Sequence, residues 1–266
     1  MKNEESYFLH NEACPRCRSK GWDIPGDNLA IYSDGHAYCW SCNYYRPPSG
    51  VVFRGVHKPT KQPLIKLPDD SDTNYSDVAV TWIARYDISR SDMLKHRVLW
   101  SDEGCYINHK GDKGAKELIQ CDSLLIFPVW GDGELLAWQG RYFGHDKRVP
   151  KWIGRGKLQE VYNIMPGKGP LVLTEAAISA MKVNKYGYNA MPLYGMHAKA
   201  RFKHLKLLGH TDVVLWLDPG MDIESVNQAR VGRLEGLQMH SVLSSKKPKD
   251  YTREEINSFL TGSAVT

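Results

Sequence analysis

Two closely spaced cysteine pairs constrain the fold of this chain more than any other feature of its sequence. Cys14 and Cys17 form the first pair and Cys39 and Cys42 form the second, with two residues between the members of each pair. This spacing lets both thiolates of a pair bind one metal ion, and two pairs complete the tetrahedron that zinc prefers. We therefore predict a structural zinc site, with a redox pair and chance clustering as the alternatives.

The segment between the pairs predicts a small zinc ribbon. Residues 29–39, "LAIYSDGHAYC", have the pattern of a strand, a turn at Ser33–Gly35 and a second strand. Without a metal, a segment of this size buries too little surface to fold. Because aromatic residues surround His36, we predict contact with nucleotide bases at Asp34, His36 and Trp40. A loop histidine that binds nothing and a histidine that competes for the zinc are the alternatives.

Composition narrows the class of protein. The chain has 266 residues, 42% of them hydrophobic, and a formal charge of +5, which gives a weak preference for an anionic partner. No apolar run approaches the roughly 18 residues of a membrane-spanning helix, and "MKNEESYFLH" lacks the plan of a signal peptide. We therefore expect a cytoplasmic protein without membrane contact, in which Cys105 and Cys121 are free buried thiols.

Positive charge is concentrated in the middle of the chain. Residues 137–157, "AWQGRYFGHDKRVPKWIGRGK", interleave lysines and arginines with aromatic side chains and contain a single acid. Phosphate contact combined with base stacking is one interpretation, and a solvated basic hairpin is the other. The candidates for nucleotide or template binding are Arg141, Lys151, Arg155 and Lys157.

The sequence divides into four parts. Residues 1–46 contain the predicted ribbon, and the proline-rich residues 47–74 indicate a flexible linker. Residues 75–165 form a basic α+β part, and residues 166–266 alternate strands with helices, which predicts a parallel sheet. The predicted fold class is thus mixed α/β, with a small N-terminal zinc ribbon and a C-terminal parallel sheet flanked by helices.

The basic α+β part begins with two predicted helices. They are separated by a break at Asp87, and the second begins with Ser89 or Ser91 as its N-cap. Two apolar runs on either side of the glycine-rich residues 131–133 then predict a β-hairpin.

Two acids end strands of the predicted parallel sheet. Glu175 follows "GPLVLT" and Asp218 follows "DVVLWL". Because ligands bind at the carboxyl ends of parallel strands, these acids are candidates for a catalytic Mg²⁺ or Mn²⁺ site, with Asp222 and Asp250 as further candidates. A helix cap or a surface acid is the alternative for each of the two strand-end acids.

The motifs carry a family resemblance. "YSDGHAYCWSC" resembles the second half of the zinc ribbon of primases from short-tailed bacteriophages. The alternation of strands and helices, with acids at strand ends, resembles the TOPRIM fold of bacterial-type primases. The resemblance implies that the ribbon reads the template site where the primer starts, with His36 taking part. It also implies that basic residues on the central strands bind triphosphates and template, and that the strand-end acids hold magnesium.

This chain departs from the family at its acids. Relatives commonly carry a second acid within two residues of the strand-end Glu, whereas this chain has Ala176 and Ala177. The D-x-D pair is reduced to Asp218 followed by Pro219 and Gly220, and Lys247 stands where a late acid is expected. Either the remaining acids suffice, with Asp222 or Asp250 moving in, or the site is impaired.

The expected function is that of a phage DNA primase in the infected bacterial host. Such a protein makes short RNA primers from ribonucleoside triphosphates on single-stranded DNA, with zinc in the ribbon and Mg²⁺ or Mn²⁺ at the acids. No G-x4-G-K-[S/T] loop occurs in the chain, so we expect a separate replicative helicase as partner. The alternatives are a non-catalytic primase-like protein that binds nucleic acid, a recombination mediator and a TOPRIM nuclease.

Overall fold

The computed structural model describes residues 7–21, 23, 26–39, 41–42, 44–46, 65–110 and 116–261. Trp40 and the predicted linker up to residue 64 lie outside these residues. The chain divides into two compact units, residues 1–63 and residues 64–266. None of the described helices is long and apolar enough to cross a membrane.

The first unit contains a four-stranded antiparallel sheet in which neighbouring strands along the chain pair with each other. The predicted hairpin is confirmed, with Gly35 in the left-handed region at φ 84°. The first strand was not expected from the sequence. The elements are β1 (Phe8–Glu12), α1 (Pro15–Arg18), β2 (Leu29–Tyr32), β3 (Ala37–Cys39) and β4 (Tyr45–Arg46).

The core of the first unit consists largely of cysteines. Three of the four paired cysteines are fully buried, together with Leu29, Ile31 and Ala37. So small an apolar cluster provides little stability of its own, and the unit depends on a crosslink through its cysteines.

The second unit begins with two helices and an antiparallel sheet of order β10-β9-β8-β5, beside the separate hairpin β6-β7. The predicted helix break and hairpin are confirmed. Asp87 has φ 54°, and Ser89 and Asp92 form a reciprocal capping box. The elements are α2 (Asp77–Ala84), α3 (Arg90–Lys95), β5 (Leu99–Ser101), β6 (Cys105–Lys110), β7 (Lys116–Cys121), β8 (Leu124–Gly131), β9 (Glu134–Tyr142) and β10 (Trp152–Gly156).

Residues 65–74 are bound to this sheet. The indole Nε1 of Trp138 donates to the Lys66 carbonyl at 2.9 Å, and Asp72 exchanges two backbone hydrogen bonds with Trp100. The second unit therefore begins before residue 74, which differs from the predicted linker of residues 47–74.

The C-terminal half of the second unit is a parallel sheet of order β12-β11-β13-β14 with helices on both faces, and the predicted mixed α/β fold is confirmed. A capping box between Thr252 and Glu255 begins the last helix. The elements are β11 (Lys168–Thr174), α4 (Ala177–Lys185), β12 (Tyr188–Pro192), α5 (Phe202–Leu207), β13 (Asp212–Trp216), α6 (Asp222–Leu234), β14 (Gln238–Ser241) and α7 (Arg253–Thr261).

Alternation along the central strands divides the core in two. Val214 and Trp216 pack with α4 and α7 on one face of the parallel sheet, whereas Val213 and Leu215 pack with α5 and α6 on the other. Because both faces are buried, β11 and β13 are nearly continuous apolar runs. This packing fixes the carboxyl ends of the two strands, where Glu175 and Asp218 follow.

Candidate functional site

The four paired cysteines form one cluster. The Sγ atoms of Cys14 and Cys42 lie 3.6 Å apart, as do those of Cys17 and Cys39, and all four Sγ atoms lie within 4.8 Å of one another. Four thiolates around one zinc ion at its usual bond length stand about 3.8 Å apart. The cluster is consistent with zinc binding.

Backbone N–H groups surround the first cysteine of each pair. Cys14 is approached by the amides of residues 16 and 17, and Cys39 by those of residues 41 and 42. Burial raises the pKa of the Cys14 thiol. At Cys39 burial acts in the same direction, but hydrogen bonds, chiefly those from the Cys42 amide and side chain, outweigh it and lower the pKa to about 7. The backbone amides of both knuckles thus oppose the effect of burial on the pKa, and at Cys39, unlike Cys14, the hydrogen bonds outweigh burial.

Asp23 supports the cluster from behind. Its buried carboxylate accepts from the Cys14 amide at 2.6 Å and from the Gly26 and Asp27 amides at 3.1 Å. These bonds hold the loop after α1 against the first cysteine. Asp23 is not among the residues predicted from the sequence, although an acid in a short Gly-containing segment is typical of such a turn.

His36 lies in an aromatic row on the first unit. Its ring stacks on Tyr32 with centroids 4.2 Å apart and planes 8° apart, and Tyr45 lies 6.0 Å away. The Nδ1 atom of His36 is 2.5 Å from Asp34 Oδ1, which also accepts from the His36 amide. The predicted pair of Asp34 and His36 is thus brought together, and Tyr32 is a member that the sequence did not reveal.

Glu175 and Asp218 meet at the carboxyl edge of the parallel sheet. They follow the neighbouring parallel strands β11 and β13, and the Asp218 amide donates to the Glu175 carboxylate. Burial raises the pKa of Glu175 above its usual value, and the charge of Asp218 raises it further. The structure therefore brings the two predicted strand-end acids together.

A lysine completes this group. The Lys247 ammonium Nζ lies 2.5 Å from Asp218 Oδ2, and the hydrogen bond raises the pKa of Lys247. The other carboxylate oxygen, Asp218 Oδ1, is buried and has no hydrogen-bond partner among the described residues. We call Glu175, Asp218 and Lys247 the acid edge.

The acid edge fits a divalent cation through its two carboxylates. Mg²⁺ commonly uses one or two protein carboxylates and takes its remaining ligands from water and substrate phosphates. The buried Asp218 Oδ1 is one available ligand atom. In the part of the chain that the structure describes, the four cysteines are the only group of three or more His, Cys, Asp or Glu ligand atoms within 4.8 Å of one another, so no third side chain of these types joins the two carboxylates at that distance.

The other two predicted acids stand outside this group. Asp222 is the first residue of α6 and Met221 is the N-cap, so the cap lies one residue before the predicted position. No hydrogen bond or ion pair joins Asp222 to the acid edge among the described residues. Asp250 ends a 3-10 turn at Pro248–Asp250, and its charge acts on both Lys247 and Lys182.

The predicted basic residues do not form one surface. Arg141 is opposite Trp152, and Arg155 is opposite Trp138, across the β9–β10 pair. Cross-strand partners share a face, and residues three apart on a strand point to opposite faces, so Arg141 and Arg155 lie on opposite faces of the sheet.

Their surroundings also differ. The Arg141 guanidinium lies 5.3–5.7 Å from the ring centroids of Trp82, Phe143 and Trp152, and its Nε is buried without a hydrogen-bond partner among the described residues. The Arg155 guanidinium donates to the Tyr106 carbonyl at 2.5 Å.

The two candidate lysines, Lys151 and Lys157, reach solvent. Lys151 is exposed, and the Lys157 ammonium pairs with Glu160 at 3.0 Å. Of the four basic candidates, Lys151 is therefore the one whose side chain is exposed and makes no ion pair among the described residues.

Comparison with known proteins places the fold among DNA primase domains. No family model matches the chain, and no curated protein matches its sequence. The structure is similar to the crystal structure of the zinc-binding and RNA polymerase domains of the Aquifex aeolicus primase, with a TM-score of 0.54 and 13% identity. That match covers 70% of this chain and 56% of the Aquifex chain, and at this identity it shows the fold alone.

Two other solved structures also match. The primase fragment of the bacteriophage T7 primase-helicase protein has a TM-score of 0.46 and 15% identity, over 96% of this chain and 98% of that one. A DNA primase domain from Pseudomonas aeruginosa has a TM-score of 0.49 and 14% identity, over 67% of this chain and 68% of that one.

Proposed function

We propose that this chain is a DNA primase that makes short RNA primers on single-stranded DNA in phage replication. The observation that carries the proposal is the joint presence of a four-cysteine cluster and a pair of strand-end carboxylates in one primase-like fold. Such a fold unites template recognition and nucleotidyl transfer in one chain.

Template recognition is assigned to the first unit. The stacked rings of His36 and Tyr32 offer an aromatic row to unpaired bases, and aromatic stacking tolerates any base because every base has a π-face. The Asp34 carboxylate fixes the His36 ring through Nδ1, so that its Nε2 edge is available to a base.

Nucleotidyl transfer is assigned to the acid edge. Glu175 and Asp218 would hold Mg²⁺ or Mn²⁺, which supplies neutralisation of phosphate charge during in-line attack by a primer hydroxyl. Lys247 adds a fixed positive charge, and the buried floor formed by β11 and β13 keeps the two carboxylates in place. The exposed Lys151 is the candidate for contact with triphosphate or template.

A primer-synthesis assay tests the proposal. The full zinc-loaded chain is incubated with labelled ribonucleoside triphosphates, single-stranded DNA and Mg²⁺ or Mn²⁺. We expect Asp218→Asn to lower synthesis by about 100-fold or more, as expected when a group that supports charge in the transition state is lost. Asp212→Asn changes the exposed acid at the other end of β13 and is the matched control, with activity close to wild type.

A second function is favoured by one observation, the Lys247–Asp218 ion pair in place of a further acid. In this alternative the chain binds template without polymerising nucleotides. Wild-type chain that binds single-stranded DNA but makes no primer on a varied set of templates would favour the alternative. Primer synthesis that is unchanged by Asp218→Asn would contradict the assignment of the acid edge.

The helicase partner is a further part of the proposal. In this proposal a replicative helicase supplies the chain with unwound template. Co-precipitation of the phage or host helicase with the tagged chain is the expected result, and repeated failure with both would contradict it.

A further inference from the structure

The ammonium of Lys247 lies where its positive charge compensates the negative charge of the Asp218 and Glu175 carboxylates. It contacts Asp218 Oδ2 at 2.5 Å, and its charge also acts on Glu175. Two partly buried carboxylates that touch through a backbone amide repel each other unless a positive charge lies between or beside them. In this chain that charge is supplied by a side chain.

The loop that carries Lys247 is fixed by its own hydrogen bonds. Ser244 Oγ accepts from the Trp216 indole at 2.8 Å and donates to the Lys246 carbonyl at 2.8 Å. The Lys246 amide donates to the Tyr251 hydroxyl at 3.0 Å, and Pro248 is buried. Trp216 itself is fully buried in β13, two residues before Asp218. The same strand therefore holds both partners of the ion pair.

A divalent cation and Lys247 share one carboxylate. A cation bound by Asp218 and Glu175 would lie within a few ångströms of the ammonium, where like charges repel strongly in a partly buried site. The cation can enter with full affinity only when Lys247 leaves Asp218 or when added negative charge compensates both. Phosphate groups supply such negative charge.

We propose that Lys247 competes with the divalent cation for Asp218 and keeps the cation affinity of the chain low until a phosphate-bearing ligand draws the ammonium away. This inference rests on the proposed function, because it takes the acid edge to be a divalent-cation site. It goes further in giving one lysine control over when that site is filled.

Mn²⁺ binding without nucleotide tests the inference. The full zinc-loaded chain is titrated with Mn²⁺ and free Mn²⁺ is measured by electron paramagnetic resonance. We expect Lys247→Met, which keeps most of the length of the side chain and removes its charge, to bind one Mn²⁺ at least tenfold more tightly than wild type. Lys247→Asp adds a carboxylate and should bind Mn²⁺ more tightly still.

Two variants control the test. Lys246→Met removes the neighbouring lysine, whose ammonium pairs with Glu255 at 3.3 Å, and should leave Mn²⁺ affinity unchanged. Lys247→Met combined with Asp218→Asn should lose the gain. Circular dichroism and melting of each variant confirm that the compared chains are folded.

Equal Mn²⁺ affinity in wild type and folded Lys247→Met chain would overturn the inference, and so would a gain that survives Asp218→Asn. Neither measurement requires primer synthesis. A chain that gains Mn²⁺ affinity as expected but makes no primer would refute the proposed function and leave the competition established.

Discussion

The cysteine cluster of the first unit and the acid edge of the second both attract cations, but they are built in different ways. The cluster has four sulfur ligands that close around one position. The acid edge has two carboxylates, a lysine of its own and an Asp218 Oδ1 atom without a hydrogen-bond partner among the residues that the structure describes. The four cysteines need a bound metal ion to hold their thiolates together, whereas the carboxylates of the acid edge are held together without one because Lys247 supplies positive charge.

This difference follows from what each site does for its unit. The first unit has a small core of cysteines and a few aliphatic residues, so that a bound metal is part of its folding energy. The acid edge lies on a sheet whose two faces bury large apolar clusters, and the fold there needs no ion. We therefore expect that an ion at the acid edge can exchange without unfolding the second unit.

The largest expected effect is that loss of one zinc ligand unfolds the first unit and leaves the second unit folded. Cys17→Ser should abolish zinc binding and unfold the first unit, since one of four buried ligands is lost. Zinc content and amide NMR signals check this result. The melting transition of the second unit should be unchanged, and Cys121→Ser, which alters a buried cysteine outside the cluster, should retain its zinc.

A smaller effect sharpens the account of the cysteine cluster. Asp23→Ala removes the acceptor of the Cys14 amide and should weaken zinc affinity by about 10- to 100-fold, as for other groups that orient metal ligands. Competition with a chromophoric chelator measures the change. Asp27→Ala alters an exposed acid of the same loop, and an equal loss in that variant would contradict the role of Asp23.

The aromatic row of His36, Tyr32 and Tyr45 should contribute to the affinity of the first unit for single-stranded nucleic acid. His36→Ala removes one stacking ring and should weaken affinity for a short single-stranded DNA by about tenfold. Fluorescence anisotropy at fixed salt measures the affinity. His10→Ala is the control, because His10 is exposed and pairs with Glu12 on β1. Similar losses in both variants would mean that charge, and not stacking, holds the DNA.

The smallest expected effect is a loss of stability of the second unit at acid pH, caused by protonation of His96. Burial, with help from the charge of Lys95 and against that of Asp92, lowers the pKa of His96 from 6.5 to about 4. A lowered histidine pKa means that stability is full above pH 6.5 and falls as the pH drops toward 4. Acidification from pH 7 to pH 4 should therefore lower the free energy of unfolding by roughly 1–2 kcal/mol less in His96→Gln than in wild type.

Urea unfolding of the second unit between pH 7 and pH 4 checks this prediction. His145→Gln changes an exposed histidine and should leave the pH profile as it is in wild type. A His96→Gln chain with the wild-type pH profile would contradict the prediction.

Features that depend on local sequence were predictable. The spacing within each cysteine pair, the turn at Gly35 and the N-cap at Ser89 each involve residues a few positions apart, and each is found as expected. The alternation of strands and helices likewise placed Glu175 and Asp218 at one edge, because parallel strands end together.

Features that depend on strand register and on contacts between distant residues were not predictable from the sequence. Arg141 and Arg155 belong to the same basic stretch, yet the register between β9, which carries Arg141, and β10, which carries Arg155, puts them on opposite faces of the sheet. The contact of Lys247 with Asp218 joins residues 29 positions apart, and only the packing of the loop after β14 determines it. Residues 65–74 lack periodicity but are bound through hydrogen bonds to Trp100 and Trp138.

The metal content of the purified chain tests the contrast between the two regions most directly. After dialysis against buffer containing Mg²⁺ and Mn²⁺ and then against metal-free buffer, elemental analysis of wild type should find one zinc ion per chain and neither of the other ions. The same treatment of the Cys17→Ser chain should leave no zinc. Retention of magnesium or manganese by wild type, or folded first unit without zinc, would contradict the account.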